Sequence, residues 1–178
     1  MNFISEENRK IHEKYLRELK LKMSIFEASY PQISGKGCRE ILRADFRRDE
    51  RERAALLRAE IMAHEIFFTS FELSSGRSIK VCKGWGSEAN FLYRIMCDAK
   101  EDRDGFIFVY LDGLNNVKYN ITNDILRQFM IFNPILAVDI CEHSYFLDYL
   151  FDSDEYIKNA LSGLNLSKIE KHIEKRKK

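Results

Sequence analysis

The stretch AVDICEHSYFLDYL, residues 137–150, sets the hardest condition on how this chain can fold. Asp139 and His143 stand four residues apart with Glu142 between them, and Val, Ile, Tyr, Phe and Leu surround all three. Burying an unpaired charge is expensive, so these groups need partners or a metal ion. One helical turn would put Asp139 and His143 on a common face, close enough to hold the same ion. An amphipathic helix whose Asp and His bond only each other satisfies the stretch equally well. What the rest of the chain supplies decides between them.

The histidines are His12, His64, His143 and His172. The last lies in the charged tail KHIEKRKK (171–178) and is expected to face water. His12 and His64 each fall in the apolar stripe of a long segment with helical spacing. Residues 5 to about 29 offer Ser5 as an N-cap, Glu6 and Glu7 to meet the helix dipole, and Ile11, Tyr15, Leu19, Met23 and Phe26 at helical intervals. PQISGKG (31–37) breaks that helix, and a second runs from about Arg47 to Phe71, charged at first and then nearly all apolar. A lone histidine in such a stripe is usually a satisfied core residue. One on each arm of a hairpin, beside a buried Asp-x-x-x-His, is a candidate ligand set. Three imidazoles and a carboxylate suit iron or manganese with an open position for water, and zinc would tolerate them. No cysteine stands at ligand spacing to either helix histidine.

After LSSGRS (73–78) the pattern changes. EANFLYRIMCDAKE (88–101) is helical, whereas GFIFVYLD (105–112), VKYNIT (117–122) and ILAVDI (135–140) predict three strands, the first two joined by a GLNN turn. SDEYIKNALSGL (153–164) and LSKIEKHIEK (166–175) predict further helices. The expected class is α+β: a long N-terminal helix hairpin, then a layer of helices with a small three-stranded antiparallel sheet. The expected division is residues 1–73 and 74–178, with the metal site between them.

With 29 basic and 28 acidic residues, the chain lacks the basic excess that bulk attraction to nucleic acid requires. No apolar run approaches the roughly 20 residues that span a bilayer. The N-terminal MNFISEENRKIHEKY has no signal-peptide pattern, and Cys38, Cys82, Cys97 and Cys141 form no close pair. Reduced thiols and a cytoplasmic location are therefore expected.

These segments resemble a family. PILAVDICEHSYFLDYLFDSDEYIKNAL (134–161) is similar to the C-terminal D-x-W-E-H-x-Y-Y signature of iron/manganese superoxide dismutases and the helix after it. ISEENRKIH (4–12) resembles the helix leading to that family's first metal histidine, and EIMAHEIFFTSF (60–71) its N-H-x-x-x-W segment. GWGSEANFLYRI (84–95) and GFIFVYLDG (105–113) resemble its F-G-S-x-x-x-F and G-W-x-W-L elements, so the likeness runs along nearly the whole chain in the family's order. The resemblance implies one Fe or Mn ion per subunit, with His12, His64, Asp139 and His143 as ligands. It implies a homodimer in which Glu142 reaches the partner's ligand histidine and Tyr145 lies at the interface. It also implies conversion of superoxide to O₂ and H₂O₂.

Around the ligands the pattern departs from the family. The proton-gate histidine and tyrosine correspond to Leu16 and Lys20, and the tryptophans to Phe106, Phe108 and Cys141. The glutamine that bonds metal-bound solvent corresponds to Glu60 in the iron enzymes and to Asn123 in the manganese enzymes. An ionised glutamate cannot donate that bond. Glu60, Lys20 and Asn123 are thus the candidates for an altered surrounding of the ion, with a Glu60–Lys20 surface pair as the plainer reading of the first two. The implied function is a dismutase with a diverged surrounding of its metal. A mononuclear Fe/Mn oxidase or oxygenase acting on another small substrate, with Leu16 and Lys20 opening room for it, is the alternative, and a non-catalytic metal-binding paralogue is the third reading.

Overall fold

The computed structural model describes residues 3–71, 78–101 and 104–176. The expected boundary between residues 73 and 74 falls outside the described residues, as do the last two residues of the basic tail. Helix α1, Glu6–Ser29, starts where the Ser5 hydroxyl accepts the Asn8 backbone N–H at 3.1 Å, with Glu6 and Glu7 in its first turn. It stops at Tyr30, before Pro31 opens a single 3₁₀ turn, Pro31–Ile33. A short α2, Cys38–Arg43, leads to α3, Arg48–Ser70. The ion pairs Lys20–Glu65 and Glu27–Arg58, each 2.6 Å, advance on α1 as they recede on α3, so the two long helices are antiparallel. Leu19 and Met23 of α1 pack with Ala54, Ala55 and Ile61 of α3 and Ile41 of α2 in a core of their own.

Helices α4 (Ile79–Trp85) and α5 (Glu88–Ala99) precede strand β1, Phe106–Leu111. Strand β2, Val117–Thr122, returns after a turn in which the Asp112 carboxylate accepts the N–H groups of Leu114 and Asn116. Then come α6 (Ile125–Ile131), β3 (Pro134–Asp139), α7 (Glu142–Tyr149), α8 (Ser153–Ser162) and α9 (Ser167–Arg176). The strand order is β2-β1-β3, antiparallel throughout. The central β1 is buried along its whole length, which matches its unbroken apolar sequence FIFVYL. The fold is α+β, helices first and a three-stranded antiparallel sheet after.

Hydropathy marks none of α2, α4 and α6, which have six, seven and seven residues. Such lengths hold too little sequence for a period of 3.6 to show. His172 is half-buried on α9, where the charge of the surrounding tail predicted full exposure. Its neighbours Ile169 and Ile173 turn that helix face into the core.

Two features place the site. The second half of α3 lies on the sheet, where the Ser70 hydroxyl accepts the Ala137 N–H of β3 at 2.8 Å, and Ala59, Ala63 and Phe67 share a core with Phe106, Phe108 and Val138. Gly105, at φ +105°, lets the start of β1 run against the end of β2; a Cβ there would stand 2.3 Å from the Thr122 carbonyl oxygen. The Gly105 carbonyl in turn accepts the Ile140 N–H at 2.9 Å and holds the end of β3 in register.

Candidate metal centre

Asp139 is the last residue of β3, opposite Phe106. The chain then turns through Ile140 and Cys141 into α7, so Asp139 and His143 meet across a strand-to-helix junction and not along one helical turn. The Cys141 N–H donates to Oδ1 of Asp139 at 3.0 Å, and the Tyr156 hydroxyl donates to the Asp139 carbonyl at 2.6 Å. These bonds fix the carboxylate and leave Oδ2 for the imidazoles. The Nε2 atoms of His143, His64 and His12 stand 3.1, 3.6 and 3.7 Å from it.

Each helix histidine is oriented from its far side. His64 donates from Nδ1 to the Glu60 carbonyl, one turn back on α3, at 2.8 Å. His12 donates from Nδ1 toward Asn8, whose Oδ1 is 3.2 Å away and whose carbonyl is 3.3 Å away. The Asn8 side chain donates in turn to the Ser144 carbonyl at 3.0 Å and to Asp148 at 2.9 Å. With both Nδ1 atoms protonated, both Nε2 atoms carry lone pairs toward the carboxylate. Among the described residues, Nε2 of His64 is buried with no hydrogen-bond partner. Two lone pairs facing at 3.6 Å repel unless a cation or proton lies between them.

The electrostatics agree. Burial would push the Asp139 carboxyl up, yet contacts with His12 and His143 and the charge of His143 and His64, when those rings are protonated, hold it well below the usual carboxylate range; with the rings neutral, a cation has to take that place. Burial pushes His64 down, and the bond to Asp139 pushes His143 up. Ligand atoms about 2.1 Å from a common ion are about 3.0–4.2 Å apart, depending on the angle between them. The observed 3.1–3.7 Å separations fall in that range. The donor atoms of His12, Asp139 and His143 all lie within 4.8 Å of one another. His64 joins them through Asp139 without being that close to every member. His12, Asp139 and His143 fit one metal ion, and His64 would complete the set only by moving inward, since ligand atoms of a common ion stand no more than about 4.2 Å apart.

The other candidates scatter. Glu60 is half-buried one turn before His64; burial raises its pKa and the charge of Lys22 opposes the rise. Lys20 does not pair with Glu60: its ammonium is 2.6 Å from Glu65 at the surface. Asn123 is exposed beyond the end of β2. Glu142 is exposed at the first residue of α7, and the Tyr145 ring lies 5.4 Å from that of Tyr156. Tyr15, which helix geometry sets apart from position 20, turns to the site. Its ring is 5.2 Å from His64 and 5.8 Å from His143, and burial, then the charges of Glu60 and Asp139, raises its pKa. Sequence reasoning missed Asn8, Ser144 and Tyr156. Only Asn8 carried a signal, standing four residues before His12 as Glu60 stands before His64.

The fold and the cluster define an α+β protein in which α1, α3, α7 and the end of β3 bring three histidines and an aspartate together. The family model for iron/manganese superoxide dismutases, C-terminal domain, matches residues 77–172, more than half of the chain. The chain belongs to the iron/manganese superoxide dismutase family. No curated protein matches it.

Proposed function

We propose that the protein binds one Fe or Mn ion through His12, His64, Asp139 and His143 and converts superoxide to O₂ and H₂O₂. The observation that carries this reading is the convergence of three imidazole Nε2 atoms on one carboxylate oxygen, at 3.1, 3.6 and 3.7 Å. A bound Fe or Mn ion would supply one-electron redox chemistry. Asp139 offsets the positive charge, with its Oδ1 held by the Cys141 N–H. Asn8 and the Glu60 carbonyl fix the tautomers of His12 and His64, so that both present Nε2. Phe67, 5.5 Å from His12, and Phe106, 5.3 Å from His64, keep water from the inner side. Tyr15 covers His64 and His143 on the outer side.

We take residues 1–73 and 74–178 as the two units joined by the ion, and the working form as a cytoplasmic homodimer. Among the described residues, no helix is long and apolar enough to cross a membrane. The dimer is supported by the surface around α7. The side chain of His143 is 48% exposed in the single chain, and Phe146, Leu147, Leu150 and Phe151 are exposed beside it. A second copy bringing its Glu142 to this face would cover the histidine.

The roomy approach needed by an oxidase or oxygenase has less support. The apolar groove at Leu16, Lys20, Glu65 and Phe68 holds about 670 Å³, and none of the four candidate ligands lines it. Elemental analysis of protein purified without added metal, with a superoxide dismutation assay, tests the proposal. Stoichiometric Fe or Mn with activity is the expected result. Metal-free or zinc-loaded protein without activity rejects it.

A further inference from the structure

The Ser144 hydroxyl has no part in the function proposed above, yet it lies at the centre of the candidate site. Ser144 is wholly buried, and its Oγ stands 3.1 Å from Nε2 of His12. That nitrogen is one of the donors assigned to the ion. In the neutral ring that donates from Nδ1 to Asn8, Nε2 of His12 accepts, and the Ser144 hydroxyl is then the donor. Ser144 is held on both sides along the backbone. Its N–H donates to the Cys141 carbonyl at 2.9 Å, and its carbonyl accepts from the Asn8 side chain at 3.0 Å. Rotation of the side chain is the freedom that remains. A second acceptor is within its reach: the phenol of Tyr156, also fully buried, is in contact with Ser144 while it donates to the Asp139 carbonyl at 2.6 Å.

We propose that the Ser144 hydroxyl competes with the metal ion for the Nε2 lone pair of His12, and that ion uptake requires it to turn from His12 to the Tyr156 oxygen. Ser144 is then a positioning residue with two settings. In the metal-free chain it holds the His12 ring at Nε2; in the loaded chain it releases that nitrogen. A lone pair cannot serve both a hydroxyl proton and a metal ion, so the hydroxyl weakens ion binding by the difference between its bond to His12 and the one it makes to Tyr156, at most the worth of one hydrogen bond. The inference rests on the metal-site reading above and adds to it a device that limits affinity.

The test compares wild-type protein and Ser144→Ala, both stripped of metal, titrated with Mn(II) against a competing chelator. The expected result is tighter Mn(II) binding in Ser144→Ala, by up to about fivefold, the equivalent of one net neutral hydrogen bond. A larger rise in melting temperature on adding Mn(II) should accompany it. Nitrogen-15 spectra of metal-free wild-type protein provide a reading that needs no variant. His12 should show a protonated Nδ1 and an Nε2 shifted as a hydrogen-bond acceptor. Equal Mn(II) affinity in the two proteins overturns the inference, and so does an Nε2 signal typical of a free lone pair. Weaker binding by Ser144→Ala also overturns it, since that is the behaviour of a serine that ligates the ion. Failure of both proteins to bind Mn(II) or Fe(II) overturns the metal-site reading itself, and the inference with it.

Discussion

Nε2 of the buried His64 faces Oδ2 of Asp139 at 3.6 Å and, among the described residues, has no hydrogen-bond partner. His64 comes from α3 and Asp139 from the end of β3, so an ion between them ties the helix hairpin to the sheet. Asp139→Ala should lower affinity for Mn(II) more than about 100-fold, beyond the loss typical of groups that only orient a ligand. It should also abolish the rise in melting temperature on adding metal, because binding free energy is folding free energy for such a site. Elemental analysis and thermal melts with and without Mn(II) check both. Metal content and melting temperature at wild-type levels would reject the site.

Glu60 gives a pH-dependent prediction. Burial raises its pKa above the ordinary 4.5, against the smaller opposing effect of Lys22. A carboxyl whose folded pKa is raised binds its proton more tightly in the folded chain, so stability falls as pH climbs above the unfolded value. The cost is complete once pH exceeds the folded pKa. Glu60→Gln removes that charge, so it should raise the melting temperature at pH 7 and give no such gain at pH 4. It also restores an amide donor near Tyr15 and should increase dismutation from a low starting rate. Equal melting shifts at the two pH values would show that the Glu60 carboxylate is not destabilised by burial.

Tyr15 covers the outer side of the site, with ring centroids 5.2 Å from His64 and 5.8 Å from His143. Tyr15→Ala should speed loss of bound metal to an external chelator by about tenfold, within the range seen when groups around a metal site are removed. Tyr15→Phe keeps the ring and should release metal at close to the wild-type rate. Time courses of chelator absorbance measure this. An unchanged rate in Tyr15→Ala would mean that solvent reaches the ion by another path.

Glu142 is exposed beside the half-exposed His143 and the apolar Phe146, Leu147 and Phe151, the last 84% exposed. Glu142→Ala should shift the protein from dimer toward monomer and reduce metal retention together. Light scattering and metal content follow the two effects. A monomer in both wild type and variant would show that no such interface forms.

Much of the architecture was legible because long elements repeat their signal. Leu19 and Met23 mark the inner face of α1, and FIFVYL marks a strand buried on both faces. Asp139 and His143 could be recognised as a pair, since polar groups amid apolar neighbours need compensation. His12 and His64 could be joined to them only by residue type and family pattern. Which atoms meet was not legible. Lys20 finds Glu65 and not Glu60 because the antiparallel packing of α1 on α3 decides which turns lie opposite. Tyr15 is three residues from His12 in any α-helix, but only the approach of α3 and α7 puts His64 and His143 under its ring.

Local terms come from the chain alone: a helix start at Ser5, a helix from 88, strands near 105 and 135, and at 105 a glycine, the residue type that tolerates φ +105° beside Thr122. Such features arise from near neighbours, whose spacing the chain itself sets. Tertiary structure alone decided that the hydroxyl of Ser144 meets the imidazole of His12, 132 residues away, and that Asn8 holds both. The physical reason is that side-chain hydrogen bonds act over about 3 Å and depend on angle. Small differences in how α1 and α7 pack against each other therefore select the partners, and no periodicity records those differences.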